Sequence, residues 1–328
     1  MKPALRPGLQ RIWRNEDTVQ LGVDPRRAVA ITGMRSGADV LRLLDGSRDR
    51  AQVIADADRR GVPAAITERV LTVLAAAGIL IDYPAPLLRS LPQELRRRLL
   101  PVLAVASMSS QDGDGGAGLL ARRAATRVAV NGSGPVAASI ADLLTQSGLA
   151  VRRAEPRTNG RADLNVLIGR PHPEQAADLL RLRRPHLVVT ADEAIGVVGP
   201  LVQPGRTSCL RCLDMARTER DPAWPLVLAQ VAGRDADPPA CDPILAAAVA
   251  SQAAAVIVAA ADCAPLAFAA MNGTLELTLP AWQWRRRSWR PQAACGCGAW
   301  SRLELRSAPT QRESCRAPLS SSGDPPAA

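Results

Sequence analysis

The N-terminal part of the chain carries short apolar runs separated by turn residues. Three of these runs predict strands, at 9–14, 19–23 and 28–32. Asn, Asp and Pro residues lie between them at hairpin spacing, which predicts a small antiparallel sheet. The pattern then changes to helical spacing and predicts helices at about 36–44, 49–60 and 64–77. Gly78 follows the last helix, where a C-terminus favours a left-handed residue. We therefore predict a winged-helix module over residues 1–82.

The composition changes after this module. Prolines, a polar helical pattern and a stretch rich in Gly and Asp occupy 83–118, which predicts a linker that contains a helix. A second domain is predicted over 119–305. The last stretch, 306–328, is rich in Ser, Pro and Ala and predicts a disordered tail. The chain is therefore expected to form two domains joined by a linker.

An apolar strand, a glycine-rich turn and an amphipathic helix open the second domain. The stretch at 127–149 reads RVAVNGSGPVAASIADLLTQSGL. Gly132 permits a tight turn, Gly134 permits close approach of a ligand or the backbone, and Ala137 lets the helix pack closely on the strand. The pattern predicts a Rossmann-like domain with these three residues at a candidate cofactor site. Several nucleotide-binding families carry such a turn, and so does a Rossmann fold that binds no nucleotide.

The strands after the glycine turn lack the usual acidic partner of a nucleotide. A strand is predicted at 151–154, but the nearest acid, Glu155, lies beyond its tip. The acid that would hold a ribose hydroxyl is therefore displaced at best. A third strand, at 164–168, follows a connection too short for a full helical crossover. The Rossmann fold is therefore expected in an abbreviated form.

Four of the seven cysteines form two close pairs. The pairs are Cys209-Leu-Arg-Cys212 and Cys295-Gly-Cys297. Four thiolates with no open coordination position are typical of a structural zinc site, and buried thiols without metal are the alternative. Cys241 precedes a long apolar run at 244–261, where a helix N-terminus can lower a thiol pKa. It is either a nucleophile or a packed small residue, and no histidine lies close in sequence to support the first role.

The net charge of +10 and the isoelectric point of about 10.4 raise the question of nucleic acid. Lys2 is the only lysine, and the arginines are spread along the chain rather than gathered into one block. This distribution argues against nucleic acid as a partner. The N-terminus has no secretion signal, and the run at 244–261 falls short of a membrane span. The sequence therefore predicts a cytoplasmic protein with no membrane partner.

Four pieces of the chain, in order, resemble the ThiF/MoeB (ubiquitin-activating-like) superfamily. They are the turn at Gly132 and Gly134, the zinc-knuckle-like stretch GRTSCLRCL, Cys241 with the helix after it, and the stretch 273–297 that leads into the second cysteine pair. The segments PGRTSCLRCLDMARTERDPAWP and RRRSWRPQAACGCG look like the cyclodehydratase-associated, leader-peptide-binding branch of thiazole/oxazole-modified microcin pathways. The resemblance implies an α/β fold with a winged-helix peptide-recognition module, an abbreviated Rossmann-like domain of ThiF/MoeB type and a four-cysteine zinc site.

The resemblance also implies a peptide site and partners. Members of the branch hold an extended leader peptide between the third strand of the small sheet and the third helix. The corresponding residues here are Ala28, Val29, Ala30, Ile31, Thr32 and Arg69. The implied partners are a leader peptide and a modifying enzyme, and the relatives also suggest a homodimer. The alternative is that this sheet merely packs on the second domain.

Active members of the superfamily adenylate their substrates, and this chain departs from their pattern. They need a lysine near the triphosphate and a magnesium-binding aspartate after the next strand. Here Lys2 is the only lysine, and 169–171 read Gly-Arg-Pro. Loss of both charges removes stabilisation of the phosphates. We therefore predict a leader-peptide-binding scaffold that is not catalytic alone, with structural zinc and with ATP binding in doubt. An ATP-dependent ThiF-type adenylyltransferase is the alternative.

Two further interpretations concern basic and aromatic residues. A winged helix can bind DNA, but the helix at 64–77 offers one arginine and no Lys, Asn or Gln to read bases or phosphates. Five tryptophans lie near the cysteine pairs in sequence, with an arginine run at 285–287 among them: Trp224, Trp282, Trp284, Trp289 and Trp300. They indicate either a docking surface with cation–π contacts or a solvated strand edge.

Overall fold

A computed structural model describes residues 1–35, 37–109, 113–154, 162–231 and 240–304. Its contacts divide the chain into two compact units, Met1–Ala121 and Arg122–Ala328. The predicted disordered tail at 306–328 and the connection at 155–161, which includes Glu155, lie outside the described residues. Each unit has its own apolar core.

The N-terminal unit contains two small sheets and a set of helices. Its strands are β1 (Pro3–Leu5), β2 (Arg11–Trp13), β3 (Val19–Leu21), β4 (Val29–Ile31) and β5 (Leu80–Asp82). Its helices are α1 (Ala38–Leu43), α2 (Arg50–Asp58), α3 (Ala64–Ala76), α4 (Ala85–Ser90) and α5 (Gln93–Ser109), and α6 (Ala117–Ala125) crosses the boundary between the units. The strands β2, β3 and β4 form an antiparallel sheet in that order, as the hairpin pattern predicts, and β1 pairs with β5.

Local signals begin and end the helices of this unit. The Asp49 carboxylate accepts a hydrogen bond from the Gln52 amide, and the Gln52 side chain accepts one from the Asp49 amide, both at 2.9 Å. This capping box begins α2. Gly78 adopts φ +67° after α3, a left-handed conformation that glycine reaches without a Cβ clash. The helices α1 to α3 then bury a core against the sheet, in which Val19 and Leu71 are fully enclosed.

The stretch predicted as a linker, 83–118, holds two helices. Both α4 and α5 lie within it, and their leucines form a small apolar cluster with Leu120 of α6. Leu88, Leu99 and Leu103 are the other buried members of this cluster. Contacts group these helices with the strands and helices before them, up to Ala121.

The C-terminal unit is built on a seven-stranded sheet. Its strands are β6 (Arg127–Asn131), β7 (Ala150–Ala154), β8 (Leu164–Ile168), β9 (His186–Asp192), β10 (Ile195–Val202), β11 (Gly273–Thr278) and β12 (Gln283–Ser288). The order across the sheet is β12-β11-β10-β9-β8-β6-β7. The strands β7, β6, β8 and β9 are mutually parallel, and antiparallel pairs join β9 to β12. The prediction of a mixed α/β fold is confirmed, and the parallel half has a Rossmann-like arrangement.

Helices cover both faces of this sheet. They are α7 (Gly134–Gln146), α8 (Pro173–Arg181), α9 (Leu210–Thr218), α10 (Trp224–Val231), α11 (Pro243–Asp262), α12 (Pro265–Ala270) and α13 (Ala299–Glu304), with a 3₁₀ turn at Ala293–Cys295. On one face α7 and α11 pack together over Val130 and Val166. Side chains alternate along a strand, so Leu167 lies on the opposite face, where it packs with Leu179 of α8 and Leu210 of α9.

The helix α11 is long and apolar enough, by length and composition, to cross a membrane, and no other helix in the described ranges is. Of the stretch that meets this test, 56% is buried. Its buried residues, which include Val249, Ala253 and Ile257, pack in the main apolar core beside α7. This is the position of a core helix, as the sequence predicts for 244–261.

Candidate functional site

Four cysteines from two distant parts of the sequence meet in the C-terminal unit. Their Sγ atoms all lie within 4.8 Å of one another. Cys209 Sγ is 3.8 Å from Cys212 Sγ and 3.5 Å from Cys295 Sγ. Cys212 Sγ is in turn 3.7 Å from Cys297 Sγ. A regular tetrahedron around zinc, with Zn–S bonds of about 2.3 Å, separates its sulfurs by about 3.8 Å. The two predicted pairs therefore converge at the spacing of a tetrahedral metal site.

The chain reaches this geometry through two tight local structures. Cys209 is the N-cap of α9, so Cys212 follows within the first helical turn. Gly296 adopts φ +72° between Cys295 and Cys297. Because glycine adopts this left-handed conformation readily, one intervening residue is enough to bring both thiols to the same point. Cys297 is half-buried and the other three cysteines are buried.

The electrostatics of the cluster favour a thiolate at its centre. The hydrogen bond from the Cys209 thiol lowers the pKa of Cys212 and raises that of Cys209, and the Gln292 amide donates to the Cys212 sulfur at 3.4 Å. Burial raises the pKa of Cys295 to about 12. A cation among the four sulfurs would stabilise all of them as thiolates. The donor set, its spacing and its burial therefore fit zinc, which would hold the 3₁₀ turn against α9.

Hydrogen bonds also fix the loop that carries the first cysteine pair. The Gln203 amide donates to Thr207 Oγ1 at 2.8 Å, and the Ser208 amide donates to Asn272 Oδ1 at 2.7 Å. The Asn272 carbonyl in turn accepts from the Trp289 amide at 2.9 Å. Asn272 thus ties the first cysteine loop to the segment that leads into the second pair. Nothing in the sequence motif pointed to Asn272, because its partners are distant along the chain.

The glycine turn lies at the carboxyl end of β6. Gly132 has φ +126°, and a Cβ there would lie 2.8 Å from Ile168 Cβ. Gly134 has φ +86°, and no described atom lies within 4 Å of the position of its Cβ. Ala137 is fully buried, as close packing of α7 requires. Because β7 and β8 flank β6 on opposite sides, the turn occupies the switch point where folds of this kind bind ligands.

The described segments that follow β6 and β8 carry few groups suited to phosphate chemistry. Ser133 is the N-cap of α7 but makes no side-chain capping bond. After β8 the chain continues with Gly169 and Arg170, and His172 then caps α8 by accepting a hydrogen bond from the Glu174 amide at 3.4 Å. The positions directly after β8 therefore offer a cation and backbone groups in place of a metal-binding carboxylate.

Cys241 lies just before α11 and is half-buried. Burial and the nearby carboxylates of Asp242 and Asp192 raise the pKa of its thiol. Its Sγ lies 3.5 Å from the Asp242 carbonyl oxygen. A thiol that stays protonated is a poor nucleophile. Cys241 also packs against the main apolar core, which fits the packed small residue of the two roles that the sequence left open.

In the N-terminal unit, β4 is an edge strand. The predicted peptide edge at 28–32 consists of β4 and one residue on each side. Ala30 and Thr32 are exposed, whereas Ile31 is buried in the core. Arg69 is exposed on α3, and its Nη2 lies 4.0 Å from the position that a Cβ on Gly33 would take. The structure therefore brings Arg69 close to the end of the predicted edge.

The hydrogen-bond register shows which backbone groups of β4 face outward. At the two ends of β3, the Thr18 carbonyl oxygen accepts from the Arg14 amide and the Gly22 amide donates to the Gln10 carbonyl oxygen. The even-numbered residues of this strand therefore bond to β2. Backbone groups alternate sides along an antiparallel strand, so the odd-numbered residues of β3 face β4 instead. The β4 residues opposite them are Val29 and Ile31. The N–H and C=O groups of Ala30 therefore point away from the sheet, where an added strand would bond to them.

Two of the five tryptophans singled out from the sequence are held by arginines. Arg217 Cζ lies 5.1 Å from the ring centroid of Trp224 and 5.3 Å from that of Trp289. The arginine run at 285–287 lies on β12, the last strand at one side of the sheet, and most of β12 is exposed. The exposed edge strand fits the second interpretation, and the docking surface stays a hypothesis. The structure also adds Arg217, which no motif indicated.

Comparison with known proteins gives matches by structure only. No protein-family model matches the sequence, and no curated protein matches it. The heterocyclase TruD superposes with a TM-score of 0.65 at 20% identity, over 93% of this chain and 44% of that chain. A heterocyclase in complex with substrate and cofactor also gives 0.65 at 20% identity, over 92% and 40%. The chain thus spans less than half the length of these heterocyclases.

A second group of matches has about the same length as this chain. MccB of E. coli with ATP superposes with a TM-score of 0.58 at 13% identity, over 90% of this chain and 99% of that chain. The microcin C7 biosynthetic enzyme MccB in complex with N-formylated MccA gives 0.55 at 13% identity, over 91% and 100%. At such identities the likeness concerns the fold. The chain has the mixed α/β fold of the TruD and MccB structures.

Proposed function

We propose that this chain is a leader-peptide-binding scaffold for a cyclodehydratase-type peptide-modifying system and is not catalytic alone. The observation that carries the proposal is the free edge of β4, where Ala30 directs its N–H and C=O groups outward. An extended peptide can add a strand at such an edge through backbone hydrogen bonds. The likeness of the fold to a heterocyclase and to a microcin biosynthetic enzyme supports the same proposal.

Side chains beside the edge would select the peptide. Arg69 and Val73 lie one turn apart on α3, so they share one face of the helix, and both are exposed. Val73 exposes 39% of its surface and is therefore open to contact with a ligand. This face offers an apolar contact and a cation in succession. We therefore expect the bound peptide to place an acidic residue near Arg69 and an aliphatic residue near Val73.

In this proposal the C-terminal unit is a scaffold. Zinc at the four cysteines is structural, because the four sulfurs leave no open coordination position. The partners are the leader peptide and a modifying enzyme, and a second copy of the chain in a homodimer belongs to the same proposal. A cytoplasmic location suits a four-thiolate site, since the reducing compartment keeps cysteines from forming disulfides.

The experiment that tests the peptide edge replaces Ala30. Linear peptides are selected against the zinc-loaded protein from a displayed library, and their affinities are then measured for the wild type, Ala30→Pro and Ala30→Val. Proline removes the outward N–H, and an edge strand tolerates proline where that N–H faces solvent. Valine keeps the N–H and favours the strand. We expect Ala30→Pro to weaken binding by about tenfold, the value of one hydrogen bond in an excluded site, and Ala30→Val to retain it.

The readout that separates strand addition from other modes of binding is amide exchange. A peptide that pairs with β4 slows hydrogen exchange at the Ala30 amide, which is otherwise open to solvent. Two results together would contradict the proposal. The selected peptides would bind Ala30→Pro as tightly as the wild type, and they would leave the Ala30 amide of the wild type unprotected. Thermal unfolding of both variants controls for loss of the sheet.

The adenylyltransferase alternative rests on one specific observation. The glycine turn has the backbone conformation and the position of a nucleotide site, and open space lies beside Gly134. The lack of lysine and of an aspartate at 169–171 opposes catalysis. ATP-dependent pyrophosphate exchange separates the two functions, because an adenylyltransferase catalyses this exchange and a scaffold does not.

A further inference from the structure

Five side chains of the C-terminal unit form an arginine–tryptophan ladder, which consists of Arg170, Trp224, Arg217, Trp289 and Arg287. Arg170 Cζ lies 5.7 Å from the Trp224 centroid, and Arg287 Cζ lies 4.4 Å from the Trp289 centroid. Arg217 lies within 5.3 Å of both centroids and therefore joins the two halves. These distances are in the range of cation–π attraction. The ladder thus holds three guanidinium groups in fixed places on two indole rings.

The three arginines come from three separate elements. Arg170 follows β8, Arg217 lies in the last turn of α9, and Arg287 lies on β12. Only the fold brings them together, so the ladder is a feature of the tertiary structure. Trp289 is 5% exposed, and its Nε1 donates to Thr274 Oγ1 at 3.0 Å. This buried, hydrogen-bonded ring fixes the position of the two arginines that contact it, Arg217 and Arg287.

Of the ladder's three arginines, Arg217 alone forms a salt bridge within the described ranges. Asp214 accepts hydrogen bonds from Arg217 Nη1 at 3.2 Å and from Trp224 Nε1 at 3.1 Å. Within the described ranges neither Arg170 nor Arg287 forms a salt bridge. Burial lowers the pKa of Arg217, and the charges of the other two arginines add to this effect. Glu276 also lies near the ladder, because its Oε1 accepts from Thr274 Oγ1 at 2.7 Å and Thr274 lies opposite Arg287 in the sheet. An acidic ligand would supply the direct ion pairs that Arg170 and Arg287 lack in the described part of the chain.

The helix α10, which begins with Trp224 of the ladder, has an exposed apolar surface. None of its residues is buried. Leu226 is 62% exposed, Val227 is 40% exposed and Val231 is 45% exposed. A phosphate group or a nucleic-acid backbone gains little from aliphatic contacts, whereas a protein segment can use the cations and the apolar surface together. The combination therefore favours a protein ligand over a phosphorylated one.

We propose that the ladder and the exposed residues of α10 form a docking face for an acidic segment of a partner protein that also carries aliphatic side chains. This inference goes beyond the proposed function, because it concerns the C-terminal unit and stands whether or not a peptide adds to β4. The carboxylates of the segment pair with Arg170, which is exposed, and with Arg287, which is half-buried. Its aliphatic groups pack on Leu226 and Val227.

Binding of a defined probe tests the docking face. The probe is a fluorescein-labelled amphipathic peptide of glutamate and leucine, and its fluorescence anisotropy is followed as the zinc-loaded full chain is added. We expect saturable binding that weakens as ionic strength rises, since salt screens exposed charges. The double variant Arg170→Gln/Arg287→Gln should bind about tenfold more weakly. The variant Leu226→Ser/Val227→Ser should also bind about tenfold more weakly, through loss of apolar contact.

A matched variant controls for net charge. Arg153→Gln/Arg181→Gln removes the same number of positive charges from other parts of the unit, β7 and α8, where Arg181 pairs with Asp178 on the surface. It should bind the probe as the wild type does. Zinc content and thermal unfolding check that each variant folds. If loss of the arginines disturbs the unit, the Leu226/Val227 variant still tests the docking face, because it leaves the arginines in place.

Several results would overturn the inference. They are the absence of probe binding by the wild type, equal binding of a probe with lysine in place of glutamate, and equal binding by the ladder and control variants. A further result would be full displacement of the probe by tripolyphosphate, with no effect of the Leu226/Val227 changes on probe binding. The ladder would then be an anion site only, which also contradicts a protein docking face. Ala30→Pro leaves this binding unchanged, so the outcome is separable from that of the β4 test.

Discussion

The cysteine cluster and the glycine turn belong to the same unit, but they differ in their side chains. The cluster has a full set of metal ligands, whereas the residues at 169–171 give the turn no carboxylate. The four sulfurs lie within 4.8 Å of one another, and hydrogen bonds support the loop that carries the first pair. The glycine turn has the backbone of a ligand site, yet the residues after β8 bring Gly169, Arg170 and Pro171 to the place of a carboxylate. The comparison shows that the donor set and spacing of the four sulfurs fit a metal ion, whereas the residues directly after β8, 169–171, offer no carboxylate to a nucleotide-bound metal.

The largest expected effect comes from breaking the cysteine cluster. Cys212→Ser removes one of four thiolate ligands, and structural zinc sites contribute roughly 10–16 kcal/mol of binding free energy that is coupled to folding. We expect the variant to lose its zinc and the C-terminal unit to lose on the order of 5 kcal/mol in free energy of unfolding. Metal analysis and denaturant unfolding of the purified chain measure both quantities.

The matched control for this change is Cys263→Ser. Cys263 is exposed and lies at the end of α11, outside the cluster. It should keep one zinc ion per chain and unfold at the denaturant concentration of the wild type. If Cys212→Ser and Cys263→Ser behaved alike, the four cysteines would be buried thiols rather than a metal site.

A smaller effect is expected in the glycine turn, and it differs between the two glycines. Gly132→Ala places a Cβ 2.8 Å from Ile168 Cβ at φ +126°, so it adds both strain and overlap. We expect it to lower the free energy of unfolding by about 3 kcal/mol. Gly134→Ala meets open space and adds only the strain of φ +86°, which costs about 1 kcal/mol. Chemical denaturation of the two variants measures the difference, and equal losses would mean that Ile168 moves away readily.

The sequence predicted those parts of the fold that depend on local signals. Turn residues between short apolar runs located β2, β3 and β4, and the strand–glycine–helix pattern located β6 and α7. The two cysteine pairs were recognisable because ligand spacing within each pair is local. Their convergence was a hypothesis from the pairing itself and from the resemblance, since 82 residues of chain, from 213 to 294, separate them.

The parts that the sequence did not predict depend on contacts between distant segments. The strands β1 and β5 have three residues each, and their pairing joins Pro3 to Asp82, so neither shows a pattern by itself. The same reason applies to Asn272, which contacts both Ser208 and Trp289. The arginine–tryptophan ladder likewise joins three elements, and an arginine-rich composition hides Arg170 and Arg217 among many others.

The smallest expected effect is that of nucleotide on the unit that carries the glycine turn. A ligand that binds the folded state at a concentration equal to its Kd raises the free energy of unfolding by about 0.4 kcal/mol. We expect millimolar Mg-ATP to change the stability of the zinc-loaded chain by less than this value and to support no pyrophosphate exchange. A larger shift that Gly134→Ala abolishes would show that the turn binds nucleotide. Exchange activity together with such a shift would mean that arginines, Arg170 among them, replace the missing lysine and aspartate, and the scaffold proposal would then give way to the adenylyltransferase.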